Sequence, residues 1–379
     1  MEPFTVSIPD SEIDDLKLRL ARTRWNDEVP GAGWDYGTPV TYLRELCDWW
    51  ARAYDWRMAE KRLNASPQWI TMIDGLRIHF LHVHSPETHA LPLIVLHGWP
   101  GSVMEFLDVI GPLSNPRAYG ADSADAFHLV IPSLPGFGFS GPTERAGVHG
   151  RVMASVLGQL MQRLGYERYV AQGGDIGALL AALLAERDPA AVPAFHVNLL
   201  PIGPPDPSNP FADLESEDLA LAQRTFGFLA ADAGYWRIQE TRPQTVTYGL
   251  TDSPAAQAAW IVEKFRSWTD CDGDIESAFT KDQLLANISV YWFTKTANSS
   301  ARFYFENNGP SRTQPPPQTE VPCGYAEFPG EHYKMPAAFA RGRLNIVSWQ
   351  AMPRGGHFPA LQVPEVYVGE VRRFFRDYR

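Results

Sequence analysis

An aspartate flanked by glycines lies at a predicted junction between a strand and a helix. Residues 173–177 read G-G-D-I-G, after a predicted strand over 168–172 and before a predicted helix over 178–186. This is the context of a nucleophile elbow, G-x-S-x-G, with Asp175 at the position where serine usually stands. A Gly-Gly-Asp turn that only caps a helix is the competing interpretation, because aspartate is a favoured N-cap. The choice depends on which residues could work with Asp175.

A carboxylate at such a turn changes the chemistry that the turn supports. Serine needs a base before it attacks acyl carbons, whereas a carboxylate is ionised at neutral pH and can displace at an sp³ carbon. The product is an ester of Asp175, which water hydrolyses where backbone amides stabilise the oxyanion. The Ile176 amide and an amide from an earlier strand–helix loop are the predicted donors. Residues 97–102, H-G-W-P-G-S, supply that loop, with Trp99 as the second donor.

Activation of water requires a base, for which a histidine is suited. Of the ten histidines, His357 lies in a late glycine-containing loop, residues 354–359, R-G-G-H-F-P. The order nucleophile, acid, histidine places the base there. An acid that orients the imidazole should follow the predicted strand near Val321, and both Glu327 and Glu331 meet that condition. Spacing alone leaves this choice open.

The elements that must position these residues alternate between strand and helix. Apolar runs at residues 93–96, 129–131 and 169–171 are each followed by a turn and a helical pattern. This pattern favours an α/β class with a parallel sheet covered on both faces. Proline clusters at residues 201–210 and 310–317 bracket a mostly helical stretch, which we interpret as an inserted helical lid. A further strand at 344–347 and a helix from Glu365 are predicted near the end of the chain.

The predicted organisation therefore has four segments. They are an N-terminal arm and approach to the core (1–90), a first part of the core (91–203), a helical lid (204–317) and a second part of the core (318–379). The arm begins with an amphipathic helix. Its aromatic-rich part, residues 30–64, is expected to be buried against the main domain.

Composition narrows the classes of function. Lys and Arg total 33 and Asp and Glu total 44, so the formal net charge is −11, which opposes binding to nucleic acid or to an anionic membrane. Three cysteines without a C-x-x-C pair predict neither a disulfide framework nor a thiolate zinc site. Neither a signal peptide nor an apolar stretch of membrane length is found, so we expect a cytoplasmic protein without a membrane anchor. No cofactor and no metal are predicted.

On these motifs the chain resembles the microsomal-type epoxide hydrolases, including the juvenile-hormone epoxide hydrolases, over nearly its whole length. The resemblance extends to residues 8–25 and to residues 73–80, I-D-G-L-R-I-H-F. It implies the α/β-hydrolase fold, with a mostly parallel central sheet, an inserted helical lid domain and an N-terminal arm. It also implies hydrolysis of a small apolar epoxide by water, without a cofactor, in a detoxification role.

The resemblance assigns roles residue by residue. The nucleophile falls on Asp175, the base on His357 and the oxyanion-hole amides on Trp99 and Ile176. The acid of the family ends an F-P-x-E/D string, matched by F-P-G-E at residues 328–331, which favours Glu331 over Glu327.

Two lid tyrosines complete the implied site. Residues 235–239, Y-W-R-I-Q, and 302–306, R-F-Y-F-E, resemble lid motifs of the family and assign the epoxide-oxygen donors to Tyr235 and Tyr304. A tyrosine hydroxyl, with a pKa near 10, can protonate an alkoxide without itself being ionised beforehand.

Two other functions are weighed against this interpretation. A haloalkane-type dehalogenase also uses an elbow aspartate, but Ile176 offers no side-chain donor to a halide, and two tyrosines suit an oxygen leaving group. A ligand-binding protein that kept the fold without turnover is the alternative from another class. For the oligomeric state, a homodimer is the mild preference.

Overall fold

The computed structural model describes residues 1–310 and 314–379. Residues 311–313, inside the second proline cluster and the predicted lid, lie outside this range. The strands are Glu2–Phe4 (β1), Gln68–Ile73 (β2), Leu76–Val83 (β3), Leu91–Leu96 (β4), Phe127–Pro132 (β5), Val170–Gly173 (β6), Phe195–Val197 (β7), Thr319–Glu327 (β8) and Leu344–Ala351 (β9). The α-helices are Asp10–Ala21 (α1), Val40–Arg52 (α2), Trp56–Leu63 (α3), Leu107–Ser114 (α4), Gly150–Arg163 (α5), Ile176–Arg187 (α6), Ser216–Asp232 (α7), Gly234–Thr241 (α8), Pro243–Asp252 (α9), Pro254–Ser267 (α10), Lys281–Thr294 (α11), Ala297–Asn308 (α12), Ala337–Ala340 (α13), Pro359–Gln362 (α14) and Pro364–Phe375 (α15).

In the described residues the strands form one sheet in the order β1-β2-β3-β5-β4-β6-β7-β8-β9. From β5 to β9 the neighbouring strands are parallel, as the apolar runs predict. Strands β1, β2 and β3 add an antiparallel edge. All three lie in the predicted N-terminal arm and approach to the core (1–90), so this segment contributes to the sheet.

The central strands bury side chains on both faces. In β4, Ile94 and Leu96 belong to an apolar cluster that includes helices α5 and α6. Their neighbours Leu93 and Val95 belong to a second cluster with α4 and α15. Each fully buried aliphatic side chain contributes about 1.5–3 kcal/mol, so both layers hold the carboxyl ends of the parallel strands in place.

Helices α7 to α12 lie between β7 and β8 in the chain, and we call them the helical insertion. The aromatic-rich part of the arm contacts this insertion, because α2 packs on α10 and α11. Trp50 is buried there, and its Nε1 donates a hydrogen bond to Ser289 Oγ on α11 at 3.1 Å. The expected burial holds for Trp50 and Trp56, whereas Tyr36 and Trp49 are exposed.

Within residues 1–310 and 314–379, no helix is both long enough and apolar enough to cross a membrane.

Candidate active site

Asp175 stands at a sharp turn between β6 and α6. Its backbone has φ 51° and ψ −126°, a conformation that is strained for a residue with a side chain. The turn is possible because of its glycines. A Cβ added at Gly173 would overlap the Gly177 backbone, and a Cβ added at Gly177 would overlap the Leu96 backbone. The elbow geometry predicted from the G-G-D-I-G string is present.

The loop after β4 delivers a backbone donor to this carboxylate. The Trp99 amide donates to Asp175 Oδ1 at 2.8 Å. Gly98 permits this approach, because a Cβ there would overlap the Asp175 side chain. Ile176, the first residue of α6, makes no amide hydrogen bond to the carboxylate within the described residues. One of the two predicted oxyanion donors therefore already contacts Asp175.

A histidine and an acid lie on the other side of the carboxylate. His357 Nδ1 is 2.7 Å from Glu331 Oε2, and its Nε2 is 3.5 Å from Asp175 Oδ2. The His357 backbone amide donates to the Trp268 carbonyl at 2.9 Å, which fixes the loop after β9. Glu327 points elsewhere, because its Oε2 accepts from Trp349 Nε1 at 2.8 Å. Of the two candidate acids, Glu331 is the one that contacts the imidazole.

The pKa values of two buried histidines near the site are shifted in opposite directions. Burial alone would lower the pKa of His357, but the Glu331 and Asp175 carboxylates outweigh it and raise the pKa to about 10. Burial lowers the pKa of His97 to about 4. His97 Nε2 accepts from the Leu134 amide at 3.2 Å, as a neutral imidazole would. Of these two histidines, His357 therefore carries charge at neutral pH.

Both predicted tyrosines line a cavity of about 450 Å³ together with Asp175 and His357. Tyr235 comes from α8 and stacks on the Trp99 ring, with centroids 5.0 Å apart and an interplanar angle of 6°. Tyr304 comes from α12 and meets the same ring edge-on, with centroids 6.0 Å apart. Burial raises the pKa of each tyrosine well above its usual range, so both are protonated donors at neutral pH.

Much of the remaining wall of this cavity is apolar. Its apolar side chains include Leu179, Leu183, Phe228, Trp236, Trp268 and Phe303. Such a wall favours a largely apolar ligand, although the lining also includes polar side chains such as Arg151, Asn307 and Arg343. No cluster of three His, Cys, Asp or Glu side chains that could hold a metal ion occurs within residues 1–310 and 314–379.

Sequence reasoning missed one ionisable group next to the site, Glu105. It is buried at 7% exposure, and burial raises its pKa to about 8, with His357 opposing and the Asp175 charge adding to the effect. One feature of the sequence could have indicated it: Glu105 lies three residues after the H-G-W-P-G-S loop, in an otherwise apolar run.

Comparisons with known proteins identify the family of this chain. A family model described as "Epoxide hydrolase N terminus" matches residues 1–106, and one described as "alpha/beta hydrolase fold" matches residues 92–261. A relative from Stigmatella aurantiaca, provisionally named an epoxide hydrolase, is 44% identical over 378 residues, covering 100% of this chain and 85% of that protein. The chain belongs to the epoxide hydrolase family. Epoxide hydrolase 1 of Sus scrofa is 34% identical over 400 residues, covering 99% of this chain and 88% of that one.

The family also accounts for the fold. The crystal structure of juvenile hormone epoxide hydrolase from Bombyx mori superposes with a TM-score of 0.89 at 32% identity, covering 100% of this chain and 94% of that one. The predicted α/β-hydrolase fold is confirmed, and this epoxide hydrolase family member is an enzyme of the hydrolase class.

Proposed function

We propose that this enzyme converts an apolar epoxide to a vicinal diol through a covalent ester on Asp175. The proposal is carried by the arrangement around that carboxylate. Oδ1 accepts from the Trp99 amide at 2.8 Å, and Oδ2 lies 3.5 Å from His357 Nε2, in the wall of a cavity shared with two tyrosines. Membership of the epoxide hydrolase family supports the same reaction.

In the first step, a carboxylate oxygen of Asp175 attacks an oxirane carbon, and the ring carbon–oxygen bond breaks. The new alkoxide takes a proton from Tyr304 or Tyr235, which line the cavity on the side of the helical insertion. The products are an alkyl ester on Asp175 and, for a moment, a tyrosinate.

The charge of His357 fits this step. With a pKa raised to about 10 by Glu331 and Asp175, against the effect of burial, it is an imidazolium in the free enzyme. Ester formation removes the charge of Asp175, so the pKa of His357 falls. The imidazolium returns a proton to the tyrosinate and becomes a neutral base.

In the second step, water attacks the ester carbonyl carbon of Asp175 while His357 Nε2 takes one of its protons. The charge that develops on the carbonyl oxygen is stabilised by the Trp99 and Ile176 amides. The bond from that carbon to the alkyl oxygen breaks, and the diol oxygen takes the remaining proton of the attacking water. Asp175 is again a carboxylate and His357 an imidazolium.

The test is the intact mass of His357→Gln after incubation with aryl and alkyl terminal epoxides, followed by peptide mapping. This variant lacks the base of the second step, so an adduct of epoxide mass should accumulate on the peptide that contains Asp175. The matched control is His89→Gln, at an exposed histidine away from the cavity, which should turn over without an adduct.

Two results would contradict the proposal. One is a folded His357→Gln protein that carries no adduct while the wild type makes no diol; halide release from haloalkanes would then identify a dehalogenase. The other is an adduct on a peptide that does not contain Asp175.

A further inference from the structure

Glu105 is a buried carboxyl that the proposed reaction leaves unused. It lies in the 3₁₀ turn Val103–Phe106, directly after the loop that carries the Trp99 amide. Its carboxyl covers Gly101, where an added Cβ would overlap Glu105 Oε1. Among the described residues, Oε1 has no hydrogen-bond partner. A buried polar atom without a partner destabilises a fold. We therefore expect a hydrogen-bonding ligand at this oxygen.

A small cavity of about 10 Å³ lies against this carboxyl. Its wall includes Glu105, Asp175 and His357. His357 Nε2 is a second buried atom here: it forms an ion pair with Asp175 Oδ2 at 3.5 Å but makes no hydrogen bond within residues 1–310 and 314–379. This volume is at the lower limit of the space that can hold one water, and a buried water needs two to four polar partners. The small cavity therefore has both the size and the polar groups for one water.

The small cavity and the substrate cavity share a wall, because Asp175 and His357 line both. In the ester intermediate, the alkyl group occupies the substrate cavity, on the side of Tyr235 and Tyr304. A water in the small cavity would therefore reach Asp175 from a different cavity than the one that holds the alkyl group. It would also lie against His357, which must take its proton.

We propose that Glu105 is a positioning residue that holds the hydrolytic water in the small cavity, between its Oε1 and His357 Nε2. The inference rests on the proposed function, since it concerns the second step of that reaction. It assigns Glu105 to ester hydrolysis and gives it no part in ester formation.

The charge state of Glu105 suits this task. Burial raises its pKa to about 8, so at neutral pH the carboxyl is protonated and can donate a hydrogen bond to the water oxygen. The second lone pair of the water is then free to attack. Ester formation removes the charges of both Asp175 and His357, whose effects on the Glu105 pKa oppose each other, so the group stays neutral in the intermediate.

Three uncharged neighbours of Glu105 do not titrate near pH 8. Burial lowers the pKa of His97 to about 4, and burial raises the pKa of Tyr291 and of Tyr367 well above their usual range. Above pH 8, an ionised Glu105 would repel the oxyanion that forms on Asp175. Ester hydrolysis in the wild type should therefore slow as the pH rises through about 8.

Rapid-quench kinetics with intact-mass detection measures the two steps separately. Glu105→Leu keeps the side-chain volume but removes the polar group that holds the water. Ester formation should stay within about threefold of the wild type, and ester hydrolysis should slow by about 10- to 100-fold, so that the adduct on Asp175 accumulates. Glu105→Gln, which can still bond to a water, should restore hydrolysis to within about threefold at neutral pH.

The pH profile gives an independent measurement should the leucine variant fail to fold. Glu105→Gln cannot ionise, so its hydrolysis rate should lack the decrease near pH 8. The matched control is Glu370→Gln, another buried carboxyl, which is bonded to Arg373 outside both cavities. It should keep the wild-type profile.

Three outcomes would overturn the inference: hydrolysis at the wild-type rate in Glu105→Leu, equal slowing of both steps, or a decrease near pH 8 that persists in Glu105→Gln. The proposed function is tested separately by the adduct in His357→Gln. An adduct in that variant with normal hydrolysis in Glu105→Leu would refute only the role of Glu105.

Discussion

The two sides of the substrate cavity hold their polar groups by different means. On the sheet side, Asp175 and His357 lie in loops at the carboxyl ends of parallel strands, and hydrogen bonds of 2.7–2.8 Å fix their atoms to Glu331 and to the Trp99 amide. On the side of the helical insertion, Tyr235 and Tyr304 stand on two helices and are oriented by ring contacts with Trp99, at centroid distances of 5.0 and 6.0 Å.

This difference indicates how much change each side tolerates. Hydrogen bonds and strained turns depend steeply on distance and angle, and a charge that develops on Asp175 needs its donors already in place. Ring contacts are favourable over a wider range of separations, about 4.5–7 Å between centroids, so we expect the tyrosines to accommodate oxiranes that differ in their substituents. We therefore expect the sheet side to be sensitive to small changes, and the insertion side to be more tolerant.

The largest effect is expected at the acid of the sheet side. Glu331→Gln removes the charge that holds the His357 imidazolium and its orientation, so kcat should fall by about 10³-fold. Glu327→Gln, four residues earlier and bonded to Trp349, should stay within about threefold. Steady-state diol formation measures both, and equal losses would contradict the choice of Glu331.

The addition of a single methyl group on the sheet side should also lower kcat. Gly98→Ala would place a Cβ against the Asp175 side chain and move Oδ1 away from the Trp99 amide. We expect kcat to fall by about 10²-fold, the range seen when one oxyanion donor is lost. Gly369→Ala, in α15 with open space around its Cβ, is the matched control and should be neutral. A fully active Gly98→Ala variant would contradict the expectation that the sheet side is sensitive to small changes.

The same difference explains what the sequence could predict. The elbow and the loop before it were predictable because only glycine fits at Gly173, Gly177 and Gly98, and such backbone requirements leave a local pattern. The two tyrosines have no such local pattern. Tyr235 and Tyr304 are two of fourteen tyrosines, and only the resemblance to family motifs identifies them.

Spacing and periodicity alone could not predict two features. The choice of Glu331 is clear from its contact with His357 across 26 residues of chain, whereas spacing left it open. The packing of the arm on the helical insertion joins Trp50 to Ser289, 239 residues apart. Local periodicity shows that a helix has an apolar face but not which partner covers it.

The tyrosines should give a moderate effect confined to one step. Tyr304→Phe removes one proton donor for the alkoxide while Tyr235 remains, so ester formation should slow by about 10- to 100-fold. Ester hydrolysis should stay within about threefold, because it depends on the sheet side. Tyr248→Phe, at an exposed tyrosine of the insertion, serves as the control. Slowing of both steps in Tyr304→Phe would contradict the separation between the two sides.

The smallest effect is expected where the insertion meets the arm. Ser289→Ala leaves the buried Trp50 indole N–H without its acceptor, so the free energy of unfolding should fall by about 1–2 kcal/mol. Both reaction steps should keep their wild-type rates, because this contact fixes the position of α11 and reaches neither tyrosine. Urea unfolding and rapid-quench kinetics measure the two quantities, with Ser7→Ala at an exposed serine of the arm as control. A slower ester formation in Ser289→Ala would mean that the arm, through α11, also sets the geometry of the insertion side, and the tolerance expected there would then be wrong.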